Sequence, residues 1–166
     1  LGVGGVEHSF FQTKKIAEDV IKDSEMDYTI IRPSTVYGEG NKLLDMIKKT
    51  APLRIFPDVK TKTQPIHIDD LEEILCRSVK KFDNETLELG GPEQMTVGEM
   101  ARRLYREEGK SCTLIPVPKV LQETGLRLIP IPGVFSMENI RLLRQQNTVE
   151  ENDAERILGC LKELSY

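Results

Sequence analysis

The sequence predicts an α/β fold in which a helix and a buried parallel strand are followed by a smaller α+β lobe. Apolar residues recur at helical spacing over residues 9–22, and Ser9 is placed to cap this helix. Residues 28–31 form a short, β-branched run that ends at Arg32 and Pro33. Such a run is typical of a strand buried on both faces of a parallel sheet, and a helix followed by a buried strand is half of a β-α-β crossover.

The remaining elements are short and are predicted from periodicity and turn residues. Thr96 and Glu99 have the spacing of a capping box, which opens a helix. In chain order we expect a loop over 34–41, a helix over 43–49, strands over 54–56 and 64–67 around a polar turn over 58–63, a helix from Asp69 or Asp70 to Lys80, a strand over 85–89, the helix opened by Thr96, a strand over 113–117, and helices over 119–128, 137–145 and 152–164.

Composition excludes several function classes. The chain has 166 residues, which allows one domain with a small appendage, and its net charge of −4 argues against a nucleic-acid partner. No run approaches the roughly 18 apolar residues of a membrane helix. The three cysteines, Cys76, Cys112 and Cys160, include no C-x-x-C pair. We therefore expect reduced thiols and a cytoplasmic location.

Four segments occur in an order that resembles a known superfamily. In the first, Lys14 stands four residues after Phe10 and four before Glu18; the second is a strand that ends in Arg-Pro and leads to a Tyr-Gly loop. The segments are 10–18, 27–38, 64–70 and 87–100. Together they resemble the extended and atypical short-chain dehydrogenases/reductases, most closely the complex I NADH-binding-like accessory subunits and the related sugar-nucleotide epimerases.

This resemblance implies the second half of a Rossmann-type parallel sheet with a small C-terminal α+β lobe. Residues 1–60 would be the C-terminal part of the Rossmann-type domain, with the strand 64–67 and the helix 69–80 packed on it. Residues 81–166 would form a small, mostly helical lobe on the substrate side. Exposed strand edges on a half-sheet invite pairing between chains, so a homodimer is an expected assembly.

The resemblance also implies a site for NAD or NADP. Lys14 would bind the ribose hydroxyls of the nicotinamide half, and it is also the one family catalytic residue that this chain keeps. The other expected contacts are Pro33, Ser34 and Thr35 for the cofactor, and Tyr37, Gln64 and His67 for a substrate pocket that would take a sugar nucleotide or another small molecule.

Each of these residues also has a structural interpretation. Lys14 has the spacing for a surface ion pair with Glu18, and Tyr37 is equally compatible with a packed loop. His67 beside two carboxylates that can cap a helix is usually structural, so no metal site is predicted.

Two departures from the superfamily pattern restrict the chemistry. Phe10 stands where the superfamily has its catalytic tyrosine, and a phenyl ring cannot transfer a proton. The glycine-rich turn that follows the first strand and binds pyrophosphate is also absent, because Gly2, Gly4 and Gly5 have no strand before them. We expect the chain to be part of a longer protein and to be inactive and unable to bind the dinucleotide alone.

Two functions remain open at this point. The first is an NAD(P)-dependent oxidoreductase or epimerase-like protein, a relative of nucleoside-diphosphate-sugar epimerases and reductases. The second is a non-catalytic dinucleotide-binding or assembly module, similar to the complex I accessory subunits. Loss of the tyrosine with retention of Lys14 favours the second, whereas an RNA-binding relative is disfavoured by the acidic charge.

Overall fold

The computed structural model of the chain describes residues 9–79, 81, 84–116 and 146–164. These residues fall into two compact units, each built from segments that are distant in sequence. Of the described residues, the first unit comprises 9–37, 64–79, 81, 84–94 and 147–164, and the second comprises 38–63, 95–116 and 146. The predicted division into a Rossmann-type part, residues 1–60, and a lobe on the substrate side, residues 81–166, stays a prediction.

Helices and strands alternate along the described residues, which confirms the α/β class. In chain order the elements are α1 (Ser9–Lys22), β1 (Thr29–Pro33), β2 (Val36–Tyr37), α2 (Lys42–Thr50), a 3₁₀ turn (Ala51–Leu53), β3 (Ile55–Pro57), β4 (Lys62–Thr63), β5 (Ile66–His67), α3 (Ile68–Ser78), β6 (Glu85–Leu89), β7 (Met95–Thr96), α4 (Val97–Glu107), β8 (Thr113–Ile115) and α5 (Asp153–Leu158).

The first unit is built on a parallel strand pair. β1 and β6 run in register from Thr29 opposite Glu85 to Pro33 opposite Leu89, and β2 pairs with β5, also in parallel. The core lies between β6, α3 and α5, where alternate strand residues meet one face of each helix. Its fully buried members are Ile66, Ile74, Leu87, Leu89 and Ala154.

The second unit combines a parallel and an antiparallel pair with two helices. β3 pairs with β8 in parallel, and β4 pairs with β7 antiparallel. The capping box is confirmed: the Thr96 hydroxyl accepts from the Glu99 amide at 3.1 Å, and the Glu99 carboxylate accepts from the Thr96 amide at 2.8 Å. The Thr96 hydroxyl also donates to this carboxylate at 2.8 Å, and the bonds from the Thr96 amide and hydroxyl hold the pKa of Glu99 below its usual range. Helix α4 then buries one stripe at helical spacing, formed by Val97, Met100, Ala101, Leu104 and Tyr105.

Several predicted elements were wrong in part. The loop over 34–41 contains β2, and the turn over 58–63 contains β4, because each short strand finds a partner far along the chain. His67, rather than Asp69 or Asp70, is the N-cap of α3. The last helix covers only Asp153–Leu158, because Gly159 follows with φ of 78° and ends it.

Two other strands are shorter than expected. β5 begins at Ile66, later than the predicted run over 64–67, and β8 ends at Ile115, earlier than the predicted run over 113–117. The predicted helices over 119–128 and 137–145 lie outside the described residues. Among the helices that are described, none has the length and apolar character needed to cross a membrane.

Candidate functional site

The carboxyl ends of β1 and β6 meet at one edge of the parallel pair. Ser34, the residue after β1, extends the pairing, because its amide donates to the carbonyl of Leu89 at 2.7 Å. In open α/β sheets, ligands bind outside the carboxyl ends of the strands. The fold therefore places Pro33, Ser34 and Thr35, the residues predicted to contact the cofactor, at this edge.

The side chain of Ser34 is buried and its hydroxyl is used twice. It donates to the carbonyl of Asn147 at 2.5 Å and accepts from the amide of Gln64 at 3.1 Å. Thr35 lies next to it: its carbonyl accepts from the amide of Ile66 at 2.9 Å, and its hydroxyl oxygen accepts from the Asn147 side-chain amide at 3.4 Å. Both residues thus join the end of β1 to the segment that begins at Asn147.

Gln64 is the second buried polar residue at this edge. Its side-chain nitrogen donates to the carbonyl of Gly91 at 2.8 Å, and its side-chain oxygen accepts from the amide of Val149 at 3.2 Å and from Gln94 at 3.3 Å. A buried amide of this kind is stable only when its donors and acceptors are matched. The structure therefore brings Ser34, Thr35 and Gln64 together around the segment 147–149.

The backbone after β6 approaches this cluster very closely. A Cβ atom placed on Gly91 would lie 1.6 Å from the carbonyl oxygen of Pro65, so no other residue fits there without a backbone shift. The Gly91 carbonyl accepts from the Asn152 side chain at 3.3 Å, and the Gly90 amide donates to the same side chain at 3.0 Å. The backbone of these two glycines is thus bound to the Asn152 side chain beside the edge.

Tyr37 and His67 form a second cluster in the same unit. Their rings are perpendicular, with centroids 5.0 Å apart, and the Tyr37 hydroxyl donates to the carbonyl of Glu163 at 2.7 Å. His67 Nδ1 accepts from the Asp69 amide at 3.1 Å, which requires that this nitrogen carry no proton. Tyr37 is 1% exposed, so its side chain is packed in this arrangement.

Charges at the start of α3 hold the C-terminal segment against this cluster. The Lys162 ammonium lies 2.5 Å from the Asp69 carboxylate, which lowers the pKa of Asp69 and raises that of Lys162. The Asp70 carboxylate accepts from the Lys162 amide at 2.8 Å. The Asp69 and Asp70 carboxylates therefore bind the C-terminal segment to the start of α3. Within the described ranges, no three or more His, Cys, Asp or Glu side chains are grouped to hold a metal ion.

Lys14 is exposed on α1. Its candidate ion-pair partner Glu18, one turn later, is bound by Arg32: Nε donates at 3.0 Å and Nη2 at 2.5 Å. Arg32 also donates from Nη1 to Glu88 at 3.1 Å. The side chain of Phe10 lies outside what the structure describes.

Sequence reasoning missed Asn147, Asn152 and the pairing of Arg32 with Glu18. The two asparagines are separated from their partners by 112 and 61 residues, so no local pattern marked them. The Arg-Pro end of β1 and a glutamate on α1 were visible in the sequence. Their opposite charges on consecutive elements are the signal that could have found this pairing.

Comparison with known proteins places this geometry in a family context. No family model matches the chain. The chain is 29% identical over 132 residues to the NADH-ubiquinone oxidoreductase 40 kDa subunit, mitochondrial, of Neurospora crassa. This match spans 78% of the chain and 34% of that protein. It is 26% identical over 159 residues to the NADH dehydrogenase (ubiquinone) 1 alpha subcomplex subunit 9, mitochondrial, of Arabidopsis thaliana, covering 85% and 40%. The chain thus spans well under half the length of these curated relatives.

Solved structures share the fold. An NADPH-dependent quinone oxidoreductase from Escherichia coli, complexed with NADPH, matches 99% of this chain and 60% of its own, with a TM-score of 0.75 and 15% identity. A nucleoside-diphosphate-sugar epimerase from Staphylococcus aureus matches 98% and 60%, with a TM-score of 0.72 and 16% identity. These structures confirm the Rossmann-type fold. The curated relatives confirm the predicted resemblance to the complex I accessory subunits.

Proposed function

We propose that this chain is part of an NAD(P)-binding protein of the short-chain dehydrogenase/reductase kind, in which it contacts the nicotinamide half of the cofactor. The observation that carries the proposal is the carboxyl edge of the β1–β6 pair, with Pro33, Ser34 and Thr35 at the ligand-binding end of a parallel sheet. Structures of this fold in complex with NADPH, NADP and NAD support a nicotinamide dinucleotide.

Within this proposal, the backbone of 33–35 contacts the cofactor, since the Ser34 hydroxyl is already occupied by Asn147 and Gln64. Lys14 supplies the ribose contact, because an ammonium on an exposed helix face donates to vicinal hydroxyls without desolvation of a buried charge. The proposed substrate class is a sugar nucleotide. The wall of its pocket is formed by the segments that Tyr37, Gln64 and His67 hold in place.

Pyrophosphate binding falls to residues other than these. The sequence contains no G-x-G-x-x-G fingerprint of the kind that receives a pyrophosphate, since Gly38 and Gly40, between β2 and α2, are followed by Leu43 in place of the third glycine. We therefore propose that the chain alone does not bind the dinucleotide. A cytoplasmic location and a homodimer paired through strand edges remain parts of the proposal that fractionation and sedimentation measurements test.

Calorimetric titration with NADH and NADPH tests the proposal, done in parallel on the full-length natural protein and on the 166-residue chain. We expect binding by the former, and a loss of about tenfold in affinity for Lys14→Ala, since a charge-assisted hydrogen bond contributes about 1.5 kcal/mol or more. Lys15→Ala, the neighbouring lysine on the same helix, is the matched control and should bind as the wild type does. Absence of binding by the full-length protein, or micromolar binding by the 166-residue chain, contradicts the proposal.

A non-catalytic module is the second candidate. Two observations favour it: Phe10 has no hydroxyl to transfer a proton, and the relatives described above are subunits of NADH-ubiquinone oxidoreductase. In this case the protein binds the dinucleotide as part of an assembly and turns over no substrate. A Phe10→Tyr variant of the full-length protein separates the two, because it gains hydride transfer to a sugar nucleotide only if the rest of a catalytic site is present.

A further inference from the structure

The guanidinium of Arg32 joins three elements of the first unit. It makes two bonds to the Glu18 carboxylate on α1, at 3.0 and 2.5 Å, and one to Glu88 on β6, at 3.1 Å. The Arg32 and Glu18 side chains are only 24% and 12% exposed. The network lowers the pKa of Glu18 and raises that of Arg32, so each group is charged over the whole physiological range.

Among the described side chains of α1, two of the apolar ones are largely exposed. Ile16 and Val20, which flank Glu18 on either side along this helix, are 63% and 65% exposed. The bidentate contact between Arg32 and Glu18 is a direct link between α1 and the β1–β6 pair.

Lys14 lies one helical turn before Glu18, and residues four apart share one face of a helix. A rotation or slide of α1 that breaks the Glu18 contact consequently moves Lys14 by the same rigid-body motion. A bidentate guanidinium fixes both the distance and the angle of a carboxylate, whereas an ammonium fixes only the distance.

We propose that Arg32 is a positioning residue, which acts through Glu18 and α1 to hold Lys14 where it meets the ribose of the dinucleotide. This inference rests on the proposed function and adds to it a residue that does not touch the ligand.

A double-mutant cycle tests the inference by NADH calorimetry on the full-length natural protein. Arg32→Met should weaken binding by up to the loss seen in Lys14→Ala, about tenfold. Arg32→Lys, which keeps the charge, should lie between Arg32→Met and the wild type and serves if the methionine variant does not fold. In a Lys14→Ala background, either Arg32 substitution should change affinity by less than about twofold.

The control and the rescue sharpen the result. Arg77→Met removes an exposed arginine of the same unit, which pairs with Glu73 and the Ile157 carbonyl, and should leave NADH affinity unchanged. The charge-swapped Glu18→Arg, Arg32→Glu pair, made together with Glu88→Gln so that no carboxylate faces position 32, should recover part of the loss, because it restores the contact in reverse. An equal loss in both Lys14 backgrounds overturns the positioning role alone. Wild-type affinity in Lys14→Ala, or no NADH binding at all, overturns the proposed function and the inference with it.

Discussion

The close approach of Gly91 to Pro65 makes a strong prediction about stability. A Cβ on Gly91 would lie 1.6 Å from the Pro65 carbonyl oxygen and 2.6 Å from its carbonyl carbon, and both are backbone atoms with no rotamer to change. Relief of this overlap to an ordinary contact requires a backbone shift of more than about 1 Å. Gly91→Ala therefore displaces the segment after β6 from the carboxyl edge.

The cost follows from the contacts that such a shift breaks. The Gly91 amide donates to the Gln64 carbonyl at 3.0 Å, and the Gln64 side chain donates to the Gly91 carbonyl at 2.8 Å. Two lost hydrogen bonds cost about 2 kcal/mol, and overpacking adds about 1–3 kcal/mol. The free energy of unfolding should thus fall by about 3–5 kcal/mol.

Urea unfolding of the 166-residue chain, followed by circular dichroism, measures this change. With a slope of about 2 kcal/mol per M urea, the midpoint should fall by about 2 M. Gly109→Ala is the matched control: Gly109 has φ of 69° with no atom within 4 Å of a Cβ, so the substitution costs only the left-handed conformation, about 1–2 kcal/mol. If Gly91→Ala costs no more than Gly109→Ala, the steric reasoning is refuted.

Three further predictions concern charge, capping and thiol access. Arg32 lowers the pKa of Glu18, so the stabilisation by this carboxylate is complete at neutral pH and is lost as the pH falls. The difference in unfolding free energy between the wild type and Glu18→Gln, about 1 kcal/mol at pH 7, should therefore close as the pH falls below about 4.3. Thr96→Ala removes a capping box and should cost about 1 kcal/mol in urea unfolding, where a cost below about 0.3 kcal/mol would contradict the cap. Burial raises the pKa of the Cys112 thiol, so a thiol reagent should label the exposed Cys76 and Cys160 first; equal rates in timed mass spectrometry would contradict this order.

Local signals were sufficient for the elements that the sequence predicted well. Helix α1 carries an apolar period over its whole length, and the Thr96–Glu99 pair determines the start of α4 by contacts only three residues apart. The strand β6 also matched its predicted bounds, 85–89, because glycines end it. Each of these depends on residues that are neighbours along the chain.

Long-range contacts account for what the sequence did not predict. The two-residue strands β2 and β4 have no periodicity of their own and exist only through partners about 30 residues away. His67 replaced the aspartates as cap of α3, because a neutral imidazole nitrogen satisfies the same helix amide as a carboxylate does. Asn147 was invisible for the same reason, since its role at the carboxyl edge depends on Ser34 and Thr35, more than 100 residues earlier.

Hydrogen exchange of the full-length natural protein, with and without saturating NADH, tests most directly where the dinucleotide lies. If the carboxyl edge of the β1–β6 pair and α1 face the nicotinamide half, NADH should slow exchange in peptides that cover residues 9–22 and 33–37. Peptides from 38–63 and 95–116 serve as internal references. Slowed exchange confined to those reference segments, with none over 9–22 and 33–37, would contradict the account.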